Sequence, residues 1–108
     1  MPVHKSLASS RWHHMPLSEQ LGNIGSEFQR VLQWRGRDDE HFAKASARLF
    51  ELIDLTLADK RWHGRLKELV RMRELVGDIS SGSAYYANSE QVLSDYFLHF
   101  ALRARAQH

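Results

Sequence analysis

The chain contains no cysteine in its 108 residues. That removes disulfide frameworks, thiolate nucleophiles and cysteine-based zinc sites together, and it fits a reducing, cytoplasmic setting. No apolar run approaches the ~18 residues of a membrane span, and the opening MPVHKSLASSRWHH lacks the continuous apolar core of a signal peptide. The expectation is a protein neither exported nor membrane-spanning. Strand signals are also missing, since nowhere do four or more residues alternate apolar and polar with β-branched enrichment. Gly22, Gly25 and Gly36 lack the strand-then-helix setting of a phosphate loop, so Gly22 and Gly25 are read as sites of close helix packing. His13 and His14 are adjacent and the other histidines scattered, so no pair sits at ligand spacing on one helix face, and neither metal nor cofactor is expected.

What is present is ordinary globular material. Hydrophobic residues at 43% and charged residues at 26% argue against disorder, and two prolines and six glycines leave long uninterrupted stretches. A chain of this length holds one core and one domain. Helical periodicity divides it into four segments. Leu17, Leu21, Ile24, Phe28 and Val31 recur at spacings of four and three, predicting a helix from about Pro16 to Arg35, with Gly36 as its stop and Asp38 or Asp39 capping the next. The second segment carries Phe42, Ala45, Leu49, Leu52, Ile53 and Thr56 on one arc, widened by Phe50 and Leu57, and is expected to be the most enclosed.

The third segment begins near Arg61 and carries Trp62, Leu66, Leu69, Met72, Val76 and Ile79. Residues 80–89 read as a loop, and Asn88 with Gln91 matches a capping-box spacing before a last helix built on Val92, Leu93, Tyr96, Phe97, Phe100 and Ala104. The implied architecture is all-α, an antiparallel four-helix bundle over residues 15–106 behind a flexible tail at 1–14. Leu98 and Leu102 lie opposite the core-facing stripe of the last helix. A helix apolar on two sides in so short a chain points to a homo-oligomer through those leucines, the alternative being scattered surface leucines.

The formal net charge is only +2, but it is unevenly placed. Residues 60–73, KRWHGRLKELVRMR, hold six basic side chains against one acidic, while Lys5 and Arg11 at one end and Arg103 and Arg105 at the other add two charges each, leaving −7 for the rest. At 100° per residue Arg65 and Arg73 project into the apolar arc of the third helix. Buried-side arginines need acceptors. One account pairs them with Glu27 and Asp54 across helices. The other opens an anion site, with Lys60, Arg61, Arg65, Lys67, Arg71 and Arg73 contacting the phosphates of RNA or DNA and Trp62, Tyr85 or Tyr86 stacking on bases.

The strings LSEQLGNIGSEFQR (17–30), ARLFELIDLTLADKRWHGRLKELVRMRELVGDI (47–79) and SDYFLHFALRAR (94–105) resemble a family of short prokaryotic helical-bundle proteins with no activity attached, which implies a standalone single domain and transfers no catalytic residue. The layout is also similar, in length, helix order and basic character, to proteins encoded in ribosomal RNA intervening sequences and to accessory proteins of diversity-generating retroelements. That likeness implies a ring-like oligomer presenting basic faces to RNA or a ribonucleoprotein. Arg35 or Arg37 followed by His41 matches the arginine-to-histidine spacing of the HEPN group of helical ribonucleases, in which the two residues polarise a phosphate and move protons. In that group the pattern lies near the start of the final long helix, whereas here it falls in the first interhelical turn, where capping by Asp38 and Asp39 is the competing account.

Overall fold

A computed structural model describes residues 10–82 and 88–106. The described residues are helical and compactly packed, with no strand among them. Four α-helices follow in order: α1 (Leu17–Trp34), α2 (Asp39–Leu57), α3 (Leu66–Ser80) and α4 (Ser89–Ala106), with a 3₁₀ segment at Lys60–Arg65 between α2 and α3.

Local chemistry sets the ends. Gly36 takes φ +78° just past α1, a left-handed conformation that a side chain would strain. Of the two capping candidates it is Asp38 that starts α2, its carboxylate accepting from the His41 N–H at 3.1 Å. The third helix departs from expectation, because the first turn after Asp59 winds as 3₁₀ and the α-helix begins only at Leu66. Trp62 at φ −102°, ψ 18° breaks the helical geometry, and its indole N–H reaches Gln20 at 2.9 Å. At the start of α4, Gln91 donates to Asp95 at 2.8 Å.

Helix α1 is the centre of the molecule. It buries nine residues against four on α2, so the expectation that α2 is the most enclosed is corrected: α1 packs on both α2 and α4. Leu21, Ile24, Phe28 and Val31 are fully buried, as the seam predicted. Between α1 and α2 the contacts are Gln20 to Thr56, Glu27 to Arg48, and Trp34 to His41. Between α1 and α4 they are Gly22 to Ala101, Gly25 to Phe97, and Gln29 to Ser94. In both sets the numbers rise on one helix as they fall on the other.

The glycines explain how α4 comes so close. A Cβ built on Gly25 would lie 2.5 Å from Phe97 Cβ, and one on Gly22 would lie 3.2 Å from the Ala101 Cα. Gly25→Ala is expected to destabilise the fold by about 1 to 2 kcal/mol, the overpacking cost outweighing alanine's helix preference. Urea unfolding checks this, and a stabilised variant would show that α4 is not held at this distance.

The expected tail at 1–14 is corrected in its last part. Trp12 is 4% exposed and belongs to the core, its indole donating to Thr56 Oγ1 at 2.9 Å. Residues 10–14 are thus part of the packed fold, while residues 1–9 lie outside the described residues.

Candidate functional site

The six basic residues of 60–73 do not form one surface. Arg61 is held internally: its guanidinium contacts both carboxylate oxygens of buried Asp59, the closest at 2.7 Å, and donates to the Met15 carbonyl at 2.8 Å. Arg65 and Arg73, placed by periodicity on the apolar arc, sit at its two edges, each about 43% exposed. Arg65 pairs with Glu68 at 2.8 Å and lies 5.5 Å over the Phe100 ring. Arg73 pairs with Asp54 at 2.8 Å and lies 5.1 Å over Phe50. Each guanidinium thus gains a carboxylate and an aromatic face while its stem covers apolar surface.

The interhelical pairing expected for these arginines holds for Asp54 with Arg73. It is corrected for Glu27, whose buried carboxylate is bridged instead by Arg30 on its own helix and Arg48 on α2. Glu68 also accepts from the Tyr96 hydroxyl at 2.6 Å, tying α3 to α4. Burial presses the Glu68 pKa upward, yet the hydrogen bonds from Tyr96 and Arg65 hold it below the ordinary value. Burial raises the Tyr96 pKa, and so does its bond to Glu68.

Lys60, Lys67 and Arg71 are left facing solvent. Neither lysine has an acidic partner among the described residues, and Arg71 reaches Glu74 only at 3.9 Å with both side chains more than 60% exposed. Beside Lys67, Leu66 and Val70 are exposed and, with His63 and Gly64, line an open depression of about 420 Å³. Leu98 and Leu102 are 54% and 52% exposed on α4, on the outer side that the periodicity assigns them. Trp62 is half-buried, its ring stacked under Arg61 at 4.5 Å and its N–H spent on Gln20. Tyr85 and Tyr86 lie outside the described residues.

Of the ribonuclease-like pattern, Arg37 is exposed in the turn between α1 and α2, while Arg35 and His41 are engaged elsewhere. Arg35 donates to the Ile79 carbonyl at 2.6 Å, closing the end of α3, and reaches Glu90 at 3.5 Å. His41 stacks on Trp34 at 4.5 Å, with Nδ1 2.9 Å from Asp38. Both are helix-end contacts. Among the described residues no group of three or more histidine or acidic side chains is placed to hold a metal ion, and no helix is long and apolar enough to cross a membrane.

The most organised polar feature is one that periodicity does not reveal. Gln20, fully buried, donates to the Trp12 carbonyl at 2.8 Å and to Asp59 at 3.3 Å, and accepts from Thr56 at 3.1 Å and from Trp62 at 2.9 Å. Asp59 gathers Arg61 and Gln20, with His13 at 3.8 Å. The bonds from Arg61 hold its pKa down to about 2, against the opposing effect of burial. Both polar atoms of the Gln20 side chain are fully used within the protein, so the amide joins chain segments and offers no open valence to a ligand. The one sequence signal for it is a glutamine three residues after Leu17 and four before Ile24, inside an otherwise apolar seam.

Comparison with models of known families, with curated proteins and with solved structures finds no match.

Proposed function

We propose that this chain is a binding or adaptor module built as an antiparallel four-helix bundle, acting in the cytoplasm as an oligomer and contacting nucleic acid or a ribonucleoprotein through the outer face of α3. The observation that carries the reading is the set of cations left over after internal pairing: Lys60 and Lys67 without acidic partners among the described residues, and Arg71 in a long, exposed pair. Exposed pairs of that kind are worth little and exchange readily for phosphate. Arg65 and Arg73 keep accessible guanidinium edges and would add secondary contacts, whereas Arg61 belongs to the fold. The likeness of layout to proteins encoded in ribosomal RNA intervening sequences is consistent with RNA or a ribonucleoprotein, and DNA stays open as the alternative. A catalytic reading gains nothing from Arg35 and His41, which are occupied at helix ends.

The test is fluorescence anisotropy with labelled RNA and DNA at several salt concentrations, comparing the natural chain with a Lys60→Ala, Lys67→Ala, Arg71→Ala variant. Three phosphate contacts on single-stranded RNA give a slope of about −2 in log affinity against log salt. The variant should lose most of that slope while unfolding as the parent does. An unchanged slope would remove this face from the binding site, and no binding at low salt would remove nucleic acid as the partner.

A further inference from the structure

Helix α4 carries two stripes. Leu93, Phe97 and Phe100 are buried and face the core. On the opposite side Gln91, Asp95, Leu98, Leu102 and Arg105 are all exposed and recur at spacings of four, three, four and three, the repeat that keeps one stripe of a helix turned toward a partner helix. At 100° per residue these positions fall within an arc of about 80°, while His99 and Arg103 lie about 80° and 120° from its centre. Leu98 and Leu102, 54% and 52% exposed, form the middle of this outer stripe. The stripe is symmetric about residue 100, with Leu98 and Leu102 two places from it and Asp95 and Arg105 five. Asp95 and Arg105 have no ion pair among the described residues; Gln91 donates to Asp95 Oδ1 at 2.8 Å, and the Asp95 Oδ2 takes no bond among them.

We propose that the outer stripe of α4 is a self-complementary dimer seam, covered by α4 of a second copy running antiparallel across a two-fold axis at the level of residue 100. This rests on the oligomer half of the reading above and names its occupant and symmetry. In that register Leu98 of each copy packs on Leu102 of the other, and Asp95 of each meets Arg105 of the other. A single axis thus satisfies both leucines and both charges from one patch, as an isologous interface requires. A parallel pair would set Asp95 on Asp95 and Arg105 on Arg105, so charge selects the antiparallel direction. The seam is about 15 Å long at helical rise, which places the association at the weak end of specific interfaces. The ion pairs fix its register more than they add affinity.

Sedimentation of the full chain tests the dimer, and charge exchange tests its direction. The natural chain should show monomer and dimer alone, since an isologous contact closes on itself. Leu98→Glu, at an exposed position where the fold tolerates change, should weaken the dimer at least about tenfold by placing a carboxylate twice in the apolar centre. Asp95→Arg sets arginine against Arg105, and Arg105→Asp sets aspartate against Asp95, so each alone should weaken the dimer about fivefold at low salt. An equal mixture of these two variants should recover the natural affinity as a heterodimer, because every arginine then meets an aspartate. Single variants without effect, or single variants that weaken the dimer with no recovery on mixing, overturn the antiparallel register. If Val70→Glu weakens association as much as Leu98→Glu, or if species larger than dimers form, the contact is heterologous, and this proposal falls while the oligomer reading stands. A natural chain that stays monomeric at about 1 mM removes both, and salt-dependent nucleic-acid binding is judged by its own titration in either case.

Discussion

Gln20→Leu will destabilise the protein by about 3 to 5 kcal/mol, although it replaces a polar side chain with an apolar one of similar size in the core. The expectation follows from counting what the amide does. Its nitrogen donates to the Trp12 carbonyl and to Asp59, and its oxygen accepts from Thr56 and from Trp62. A leucine leaves the buried Thr56 hydroxyl proton without an acceptor, at about 1 to 3 kcal/mol, and removes a bond each from the Trp12 carbonyl and Asp59, which keep those from Met15 and Arg61, at about 1 kcal/mol apiece. Trp62 is half-buried and recovers part of its loss through water, which keeps the total below the simple sum.

Domains of this kind have about 5 to 15 kcal/mol in all, so the variant should sit near its unfolding threshold. The segment carrying Trp12 is the first expected to detach, because the Gln20 bond to its backbone and the Thr56 bond to its indole are both weakened at once. Urea unfolding measures the loss, and limited proteolysis near Arg11 reads the detachment. A loss under about 1 kcal/mol would mean that the network is dispensable and that Trp12 is held by packing alone.

This network also marks where the sequence stops being legible. The helices can be read directly because their signal is local: a three-four repeat of large apolar residues in α1, a capping aspartate at Asp38, and a glycine at Gly36 in the left-handed conformation that ends a helix. The exposed pair Leu98 and Leu102 is legible on the same ground. Gln20 is not, because its partners are supplied from 8, 36, 39 and 42 positions away and nothing in periodicity marks them. Trp12 is missed for the same reason, a single aromatic in a polar stretch that earns its place only through Thr56 on another helix.

The basic stretch shows a subtler limit. Periodicity correctly places Arg65 and Arg73 toward the apolar arc, but a long side chain on the edge of that arc need not be buried. Arg73 reaches across to Asp54, and Arg65, at the end of the 3₁₀ segment, reaches Glu68 in the first turn of α3, each over an aromatic ring. Arg61, which looks in sequence like one more surface cation, is the most tightly held of the six. A binding surface inferred from charge density alone therefore includes a structural residue, while the cations that stay available are known only once the pairings are.

Acidification should unfold the protein in a manner traceable to Asp59. Its carboxylate is 3% exposed, and the bonds from Arg61 hold its pKa down to about 2 against an ordinary value near 3.8. The folded form binds its proton less readily than the unfolded chain does. The stabilisation from the charged form is therefore complete above the unfolded value and drains away as pH falls from about 4 toward 2, amounting to about 2 kcal/mol. Asp38, through its bonds from His41, and Glu68, through its bonds from Tyr96 and Arg65, titrate in the same direction, but both are more exposed than Asp59 and contribute to the slope without deciding it. Asp59→Asn separates its share from theirs. The amide can still cap the Arg61 N–H, but it cannot pair with the guanidinium, so the variant should be less stable at neutral pH by about the same 2 kcal/mol and should show a correspondingly flatter loss on acidification. Unfolding free energies from urea titrations between pH 7 and pH 2.5 give both quantities, and a variant whose acid slope matches the parent's would place the linkage on some carboxylate other than Asp59.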